Sequence, residues 1–191
     1  MPRDFRRFTA AALAASGLFA LATAAPALAD HHTSNDAPMT VRADVTTAAG
    51  EPAGRVVFEQ TDHGVVVKAR LTNLSPGEHG FHIHETGACS PDFKAAGGHY
   101  DPLRAKHGFD SEGGYHVGDL PNIVVEADGT ASADFFAPQL TLASQEDNRY
   151  PFTLDDADGS AVMVHARADD YQAQPPGSTG QRVACGVVFA R

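Results

Sequence analysis

Histidines are the residues of this 191-residue chain with the clearest chemical potential. There are ten, all beyond residue 30. His82 and His84 stand two apart in an apolar segment, so both imidazoles would lie on one face of a β-strand. Further candidate ligands follow downstream and are His99, His107, His116, Asp119 and His165. Imidazole suits copper and zinc, and a mixed histidine and aspartate set suits zinc. One such histidine is more often an ordinary core or surface residue, but six with an aspartate predict a metal site.

The first 29 residues are typical of a secretory signal peptide. Met1–Phe8 carries three arginines, an uncharged run follows over Thr9–Ala25, and Ala27–Ala29 provides small residues for cleavage. The alternative is a membrane anchor, but the uncharged run is shorter than the roughly 20 residues needed to span a bilayer. We therefore expect a protein exported to the periplasm or the extracellular space, with no membrane contact after cleavage. A flexible tail is predicted over residues 30–38 and one folded domain over 39–191.

The charge balance argues against binding to nucleic acid. The chain has 14 Lys and Arg against 24 Asp and Glu. Removing the signal peptide, with its three arginines and one aspartate, leaves 11 basic and 23 acidic residues and a net charge of −12. Binding to nucleic acid needs a basic face, and the chain has no cluster of Lys and Arg that could form one. No nucleic-acid partner is expected.

The elements that must position the histidines are predicted to be short strands, because their apolar residues recur with a period of two. Eight runs rich in Val, Ile, Phe and Thr are predicted as strands, at Met39–Thr47, Arg55–Thr61, Val65–Leu74, His79–His84, Ile123–Ala127, Thr130–Phe136, Ala161–Ala166 and Val183–Phe189. Turn signals separate them, at Glu51–Gly54, Asp62–Gly64, Ser75–Gly77 and Asp128–Gly129. This pattern predicts an antiparallel sandwich or barrel. Thr86–Pro121 and Ala168–Gln181 lack periodicity and are predicted as two long functional loops.

Cys89 and Cys185 are the only cysteines. In an exported domain, a lone pair is more often one structural disulfide than two free thiols. Such a bridge would join the first long loop to the last strand.

Several segments resemble the copper/zinc superoxide dismutases, and in particular their exported bacterial branch. The segments that carry the resemblance are Gly80–Glu85, Gly97–Pro102, Lys106–Gly108, His116–Pro121 and Gly180–Val187. They occur in the family's order, and the resemblance covers nearly all of residues 39–190. It implies an all-β fold, an eight-stranded antiparallel Greek-key β-barrel.

The resemblance also implies roles for individual residues. Copper would be held by His82, His84, His99 and His165, and zinc by His99, His107, His116 and Asp119. His99 would be the imidazolate shared by both metals. Asp169 corresponds to the carboxylate that hydrogen-bonds one ligand histidine on each metal, Arg182 to the arginine beside the copper, and Cys89 with Cys185 to the family disulfide.

The implied activity is disproportionation of superoxide to dioxygen and hydrogen peroxide, with one copper and one zinc ion per subunit. The alternative is an inactive exported protein that binds or delivers copper or zinc on the same fold. A copper-only enzyme is a closer rival, but it should lack His107, His116 and Asp119. The sequence leaves open whether the barrel is a monomer or a homodimer.

Two further expectations concern charge and copper capture. Tyr171–Gln181 has no Lys, Arg or Glu, so we expect any steering of the anionic substrate to come from the first loop. Lys94 is the leading candidate among the nearby basic residues, which also include Arg104, Lys106 and Arg167. Cleavage after Ala29 would leave an N-terminal Asp30-His31-His32, whose amine, two amides and imidazole suit copper(II) and predict a copper-capture site.

Overall fold

Eight strands form one antiparallel sheet in the computed structural model, which describes residues 39–143, 150–175 and 179–191. The strands of this sheet are β1 Thr40–Thr47, β2 Pro52–Thr61, β3 Gly64–Leu71, β4 Gly77–His84, β5 Asp119–Val125, β6 Ala131–Ala137, β9 Ser160–His165 and β10 Arg182–Phe189. A second, parallel pair is formed by two-residue strands, β7 Leu140–Thr141 and β8 Phe152–Thr153. The predicted signal peptide, the tail, and Asp30, His31 and His32 lie outside the described residues and stay predictions.

The sheet curves into a nearly closed barrel. Its strand order is β5-β4-β9-β10-β1-β2-β3-β6, so its two edge strands, β5 and β6, are consecutive in the chain. A tight turn joins them, in which Glu126 N–H donates to Thr130 O over 2.8 Å and Gly129 N–H donates to Glu126 O over 2.9 Å. Around the barrel, the neighbours β3-β6-β5-β4 form a Greek key. The predicted eight-stranded Greek-key barrel is confirmed.

The barrel interior is filled by the apolar residues that the period-two pattern points inward. Phe58, Phe81, Ile83 and Leu140 have no exposed surface and belong to one continuous core. Burying a side chain of this size stabilises the fold by about 1.5–3 kcal/mol. From His79 onward, β4 is buried on both faces, because long loops cover the outside of the strand.

The start of β2 corrects the predicted turn at Glu51–Gly54. The strand begins at Pro52, and the turn lies earlier, at residues 48–50. Proline is tolerated as the first residue of a strand, so it did not mark the turn. Gly54 has a φ of 91° inside the strand, and a Cβ there would lie 2.2 Å from the carbonyl oxygen of Arg70 on β3. Glycine is needed here for the close approach of two strands.

The start of β5 corrects the end of the first predicted loop. The strand begins at Asp119, four residues before the predicted start, so Pro121 lies inside it. The β4–β5 register shifts between His79 and Phe81, which leaves Pro121 at an irregularity where its missing N–H interrupts no ladder bond. The first loop therefore runs over residues 85–118. It contains a 3₁₀ turn, η1, at Phe93–Ala96.

The predicted disulfide between Cys89 and Cys185 is present. Cys89 lies in the first loop and Cys185 on β10, 96 residues apart in sequence and with 6.0 Å between their Cα atoms. The bridge ties the loop to the barrel wall beside the buried histidines. Among the described residues, no helix is long and apolar enough to span a membrane.

Removing the disulfide should destabilise the domain strongly. A cross-link that closes a loop of this length restricts the unfolded chain by about 4–5 kcal/mol in the chain-entropy account. We expect the double variant Cys89→Ser and Cys185→Ser to lose about 4 kcal/mol in free energy of unfolding, measured by urea titration of metal-free protein. Wild-type protein in reductant is the control and should match the variant. An unchanged free energy of unfolding on reduction would contradict the bridge.

Candidate metal centre

Two groups of side chains could each hold a metal ion, and they have one histidine in common. In each group the ligand atoms lie within 4.8 Å of one another. The four-histidine group consists of His82, His84, His99 and His165, and the mixed group consists of His99, His107, His116 and Asp119. The structure thus brings together all seven candidate ligands identified in the sequence, with His99 at the junction of the two groups.

The barrel and the first loop position these ligands by different means. His82 and His84 share the outer face of β4 because strand side chains alternate, and His165 ends the neighbouring strand β9. His99 comes from the loop, which is fixed against β4 by an isolated bridge between His84 and His99. The N–H of Tyr100 donates to Ile83 O over 2.8 Å and extends this contact. The strands set the spacing of three imidazoles, and the bridge brings in the fourth.

Unpaired ring nitrogens show that the four-histidine group fits a metal ion. Nδ1 of His82 and Nε2 of His84 and His165 are buried without a hydrogen-bond partner among the described residues. The opposite nitrogens of these rings are engaged, by Asp169 at 2.8 Å, by Gly97 O at 3.1 Å and by Thr179 Oγ1 at 3.2 Å. Leaving a buried polar atom unpaired costs about 1–3 kcal/mol, which coordination of a metal would remove.

The mixed group converges on one carboxylate oxygen. Oδ1 of Asp119 lies 2.7 Å from Nδ1 of His99, 3.1 Å from Nδ1 of His107 and 3.4 Å from Nδ1 of His116. A tetrahedral zinc ion holds its ligand atoms roughly 3.3 Å apart. The other oxygen, Oδ2, accepts the backbone N–H of Gly108 at 2.8 Å and of His116 at 3.1 Å, which fixes the carboxylate. The donor set and its spacing fit zinc.

Asp169 connects the two groups through their outer ring nitrogens. Its Oδ2 accepts from Nε2 of His82 at 2.8 Å, and its Oδ1 accepts from Nε2 of His107 at 2.9 Å. Because both rings donate through Nε2, both present Nδ1 to a metal. Asn122 on β5 in turn holds the peptide of Asp169, since its Oδ1 accepts the N–H at 2.8 Å and its Nδ2 donates to the carbonyl at 3.0 Å.

Arg182 is held at the four-histidine group by two loop carbonyls. Its guanidinium donates to Phe93 O and to Gly97 O, each at 2.6 Å. Gly97 O also accepts from Nδ1 of His84 at 3.1 Å, so one oxygen serves both the arginine and a candidate ligand. The arginine lines a cavity of about 670 Å³ together with His99 and His165.

Lys94 lines the same cavity, on the turn η1. The other three basic residues that lie near the site in sequence do not line this cavity; they are Arg104, Lys106 and Arg167. Asp92 also lines the cavity, and its carboxylate partly offsets the positive charge of Arg182. Lys94 is thus the basic residue beside Arg182 at the cavity.

The electrostatics of the two groups differ. Burial away from water lowers the pKa of His99 to about 4 and that of His165 to about 3, so both are neutral at neutral pH. Burial also acts on His107, but the carboxylates of Asp119 and Asp169 outweigh it and raise the pKa to about 9. Burial alone would raise the pKa of Asp119, yet hydrogen bonds from three imidazoles hold it far below its usual range. The mixed group therefore carries an ionised carboxylate, the form that binds a metal.

Supporting residues of the centre were missed by sequence reasoning. His79, which the sequence left without a role, is 2% exposed and its ring lies 2.6 Å from His165 O and 2.8 Å from Ser75 O. Asn122 and Thr179 act in a similar way, through contacts with Asp169 and His165. Polar side chains of these types have no sequence pattern that distinguishes them, because their partners come from distant segments.

Comparison with known proteins decides the family. The profile of the copper/zinc superoxide dismutases matches residues 52–188. The chain belongs to this family. A copper-zinc superoxide dismutase of Caulobacter vibrioides is 43% identical over 146 residues, which cover 75% of this chain and 82% of that protein. Superoxide dismutase 1 of Aquifex aeolicus is 40% identical over 148 residues, covering 76% and 85%.

Solved structures support the same assignment. A superoxide dismutase-like protein from Bacillus subtilis superposes with a TM-score of 0.70 at 36% identity, over 78% of this chain and 97% of that one. The copper/zinc superoxide dismutase of Brucella abortus gives a TM-score of 0.63 at 33% identity, over 79% and 100%. The family thus includes proteins described as superoxide dismutases and one described only as similar to them. In this chain, the seven candidate ligands all lie in the two groups described above.

The metal-free domain should be most stable between about pH 6 and 7. An unfolded histidine titrates near pH 6.5. As the pH falls below that value, the unfolded chain takes up protons at His99 and His165 that the folded chain excludes down to about pH 4 and 3, so the free energy of unfolding falls. As the pH rises toward 9, the folded chain loses the proton that stabilises His107. Urea titrations of metal-free protein from pH 4 to 9 measure the fall in the free energy of unfolding on the acid side and on the alkaline side.

The variant His107→Asn tests the expected fall in the free energy of unfolding at alkaline pH. Replacement of the exposed His63 by alanine is the control. We expect His107→Asn to lose the decline between pH 6.5 and 9, and His63→Ala to keep it. A decline that persists in His107→Asn would contradict the role given to this histidine.

Proposed function

We propose that this protein is an exported enzyme that holds copper in the four-histidine group and zinc in the mixed group, one of each per subunit, and disproportionates superoxide. The observation that carries the proposal is the place of His99. Its Nδ1 lies 2.7 Å from Asp119 in the mixed group, which leaves Nε2 for the four-histidine group. One imidazole can therefore serve two ions of different chemistry.

The ligand types support the assignment of the two metals. Zinc does not change its oxidation state, whereas copper does, and only the second supplies the reversible one-electron chemistry that superoxide requires. The all-imidazole group beside the cavity and Arg182 suits copper, and the group that includes a carboxylate suits zinc. Over a full cycle, two superoxide anions and two protons give one dioxygen and one hydrogen peroxide.

The protein's own residues supply charge, orientation and a proton. Arg182 keeps a fixed positive charge in the cavity, where it attracts and orients an anion. Asp169 fixes the tautomers of His82 and His107 and so makes the geometry of each group depend on the other. His99 can hold a proton at Nε2 while Nδ1 stays with the mixed group, which places a proton donor at the cavity wall.

Export is supported by the cysteine pair as well as by the N-terminal sequence. Structural disulfides persist in oxidising compartments and are rare in the cytosol. The bridge between Cys89 and Cys185 also stabilises the loop that carries η1 and the cavity wall. A disulfide-bonded domain behind an export signal suits the periplasm or the extracellular space.

The alternative, an inactive metal-binding or delivery protein on the same fold, explains less of the site. A protein that only stored zinc would need neither His82, His84 and His165 nor a cationic cavity. A delivery protein would be expected to have an additional cysteine motif for handing over copper, and both cysteines here are in the disulfide. A copper-only enzyme would not need the convergent mixed group.

Metal analysis combined with a superoxide assay tests the proposal. Purified mature protein should contain one copper and one zinc, lose superoxide consumption on chelation and regain it on reloading with copper. The variant His84→Ala should lose copper and activity, and the exposed-site variant His63→Ala should keep both. Stoichiometric copper and zinc after reloading without superoxide consumption would contradict the enzyme and favour the binding protein.

Lys94 should contribute to steering of the substrate. It lies on η1 beside the cavity in a chain that is otherwise strongly acidic, and a positive charge there raises the rate of encounter with an anion in a salt-dependent manner. We expect Lys94→Ala to lower kcat/KM for superoxide a few-fold at low ionic strength and to weaken its dependence on salt. The control is Arg55→Ala, which removes an exposed positive charge from β2, away from the cavity lining. An unchanged salt dependence in Lys94→Ala would contradict the steering role.

A further inference from the structure

The side chain of Gln174 pairs with the peptide groups of His107. Its Oε1 accepts the backbone N–H of His107 at 3.1 Å, and its Nε2 donates to the carbonyl of the same residue at 2.6 Å. The Nε2 group also donates to Ser111 Oγ at 3.1 Å. A side-chain amide that contacts both peptide groups of one residue acts as a neighbouring strand would.

His107 needs such a partner because of where it lies. It belongs to the first loop, outside every strand, and among the described residues no backbone group pairs with its N–H or its C=O. Its imidazole nevertheless has to stay fixed, with Nδ1 3.1 Å from Asp119 and Nε2 2.9 Å from Asp169. The ring is held at its two nitrogens. The backbone is held by Gln174 at both of its peptide groups, and the hydroxyl of Ser111 also donates to the carbonyl.

The second loop contacts the first at the same point through its backbone. Tyr171 O accepts the N–H of Asp110 at 3.1 Å and lies so close to Gly108 that a Cβ on that glycine would be 1.9 Å away. Asp169, which holds the ring of His107, comes from this loop as well. The ring, peptide and following residues of His107 are therefore all held by residues 169–174.

We infer that Gln174 is a positioning residue for the mixed group and slows the release of zinc. Zinc leaves only if one of its ligands moves away, and the backbone of His107 cannot shift without breaking its two hydrogen bonds to Gln174. The Gln174 side chain never touches the ion, so its effect passes through the backbone of His107. This inference rests on the proposed assignment of zinc to the mixed group.

The experiment measures how fast protein loaded with copper and zinc releases zinc to an excess of a chromogenic chelator. We expect Gln174→Ala to release zinc roughly tenfold faster than wild type, at the lower end of the range for groups that support metal ligands, because Gln174 is solvent-exposed and water competes for its bonds. Copper content should be unchanged. Gln172→Ala is the matched control, since the nearby glutamine contributes only its carbonyl to the network, and should release zinc at the wild-type rate.

Two further measurements separate positioning from general loosening of the fold. Gln174→Glu preserves the size of the side chain and an acceptor for the His107 N–H but loses the donor to the carbonyl, and it should also release zinc faster. Cobalt(II) in place of zinc should show altered absorption bands in Gln174→Ala and unaltered bands in Gln172→Ala, since those bands report ligand orientation. Should the alanine variant fail to fold, the glutamate variant provides the same comparison.

Equal zinc release from wild type and from both Gln174 variants would overturn the inference while leaving the proposed function intact. Failure of the wild-type protein to take up one zinc or one cobalt ion would instead contradict the assignment of the mixed group. Faster release from Gln172→Ala to the same degree as from Gln174→Ala would also overturn the inference, because the effect would then belong to the loop as a whole.

Discussion

The constraint on which the structure depends is the burial of imidazoles with unpaired nitrogens on the outside of a β-strand. The outer face of β4 carries two fully buried histidines, and β9 adds a third beside them. A polar atom without a partner is costly in such a place unless a metal occupies it. The loops, the two carboxylates and the disulfide all serve to cover these imidazoles and hold their free nitrogens together. On the opposite face of β4, Phe81 and Ile83 pack into the barrel core and fix the strand from inside.

The two carboxylates solve different parts of the problem. Asp119 lies at the start of β5 and gathers the ring nitrogens of the mixed group, whereas Asp169 approaches from the second loop and holds rings from both groups. Each is itself held by hydrogen bonds, Asp119 by backbone N–H groups and Asp169 by the amide of Asn122. Because barrel and loops contribute to the same network, metal geometry and loop conformation are coupled.

Much of the fold and of the candidate ligand set could be predicted from the sequence, and the supporting contacts could not. Alternating apolar residues revealed all eight strands of the barrel, and the motifs around His82, His99 and His116 identified the family. The errors came at Pro52 and Pro121, because proline at the start of a strand or at an irregularity in pairing carries the same local signal as proline in a turn. The supporting roles of Gln174 and Asn122 could not be predicted, because their partners are peptide groups, which every residue has.

The carbonyl oxygen of Gly97 links the cation at the cavity to the four-histidine group. It accepts from Nη2 of Arg182 and from Nδ1 of His84 at once, so the residue that attracts the anion and a residue that orients the metal group depend on the same atom. A shift of that peptide would disturb both contacts together. Phe93 O would still hold the guanidinium, but the ring of His84 would lose its acceptor. The conformation of one loop peptide therefore links the position of the cation to the orientation of a candidate copper ligand.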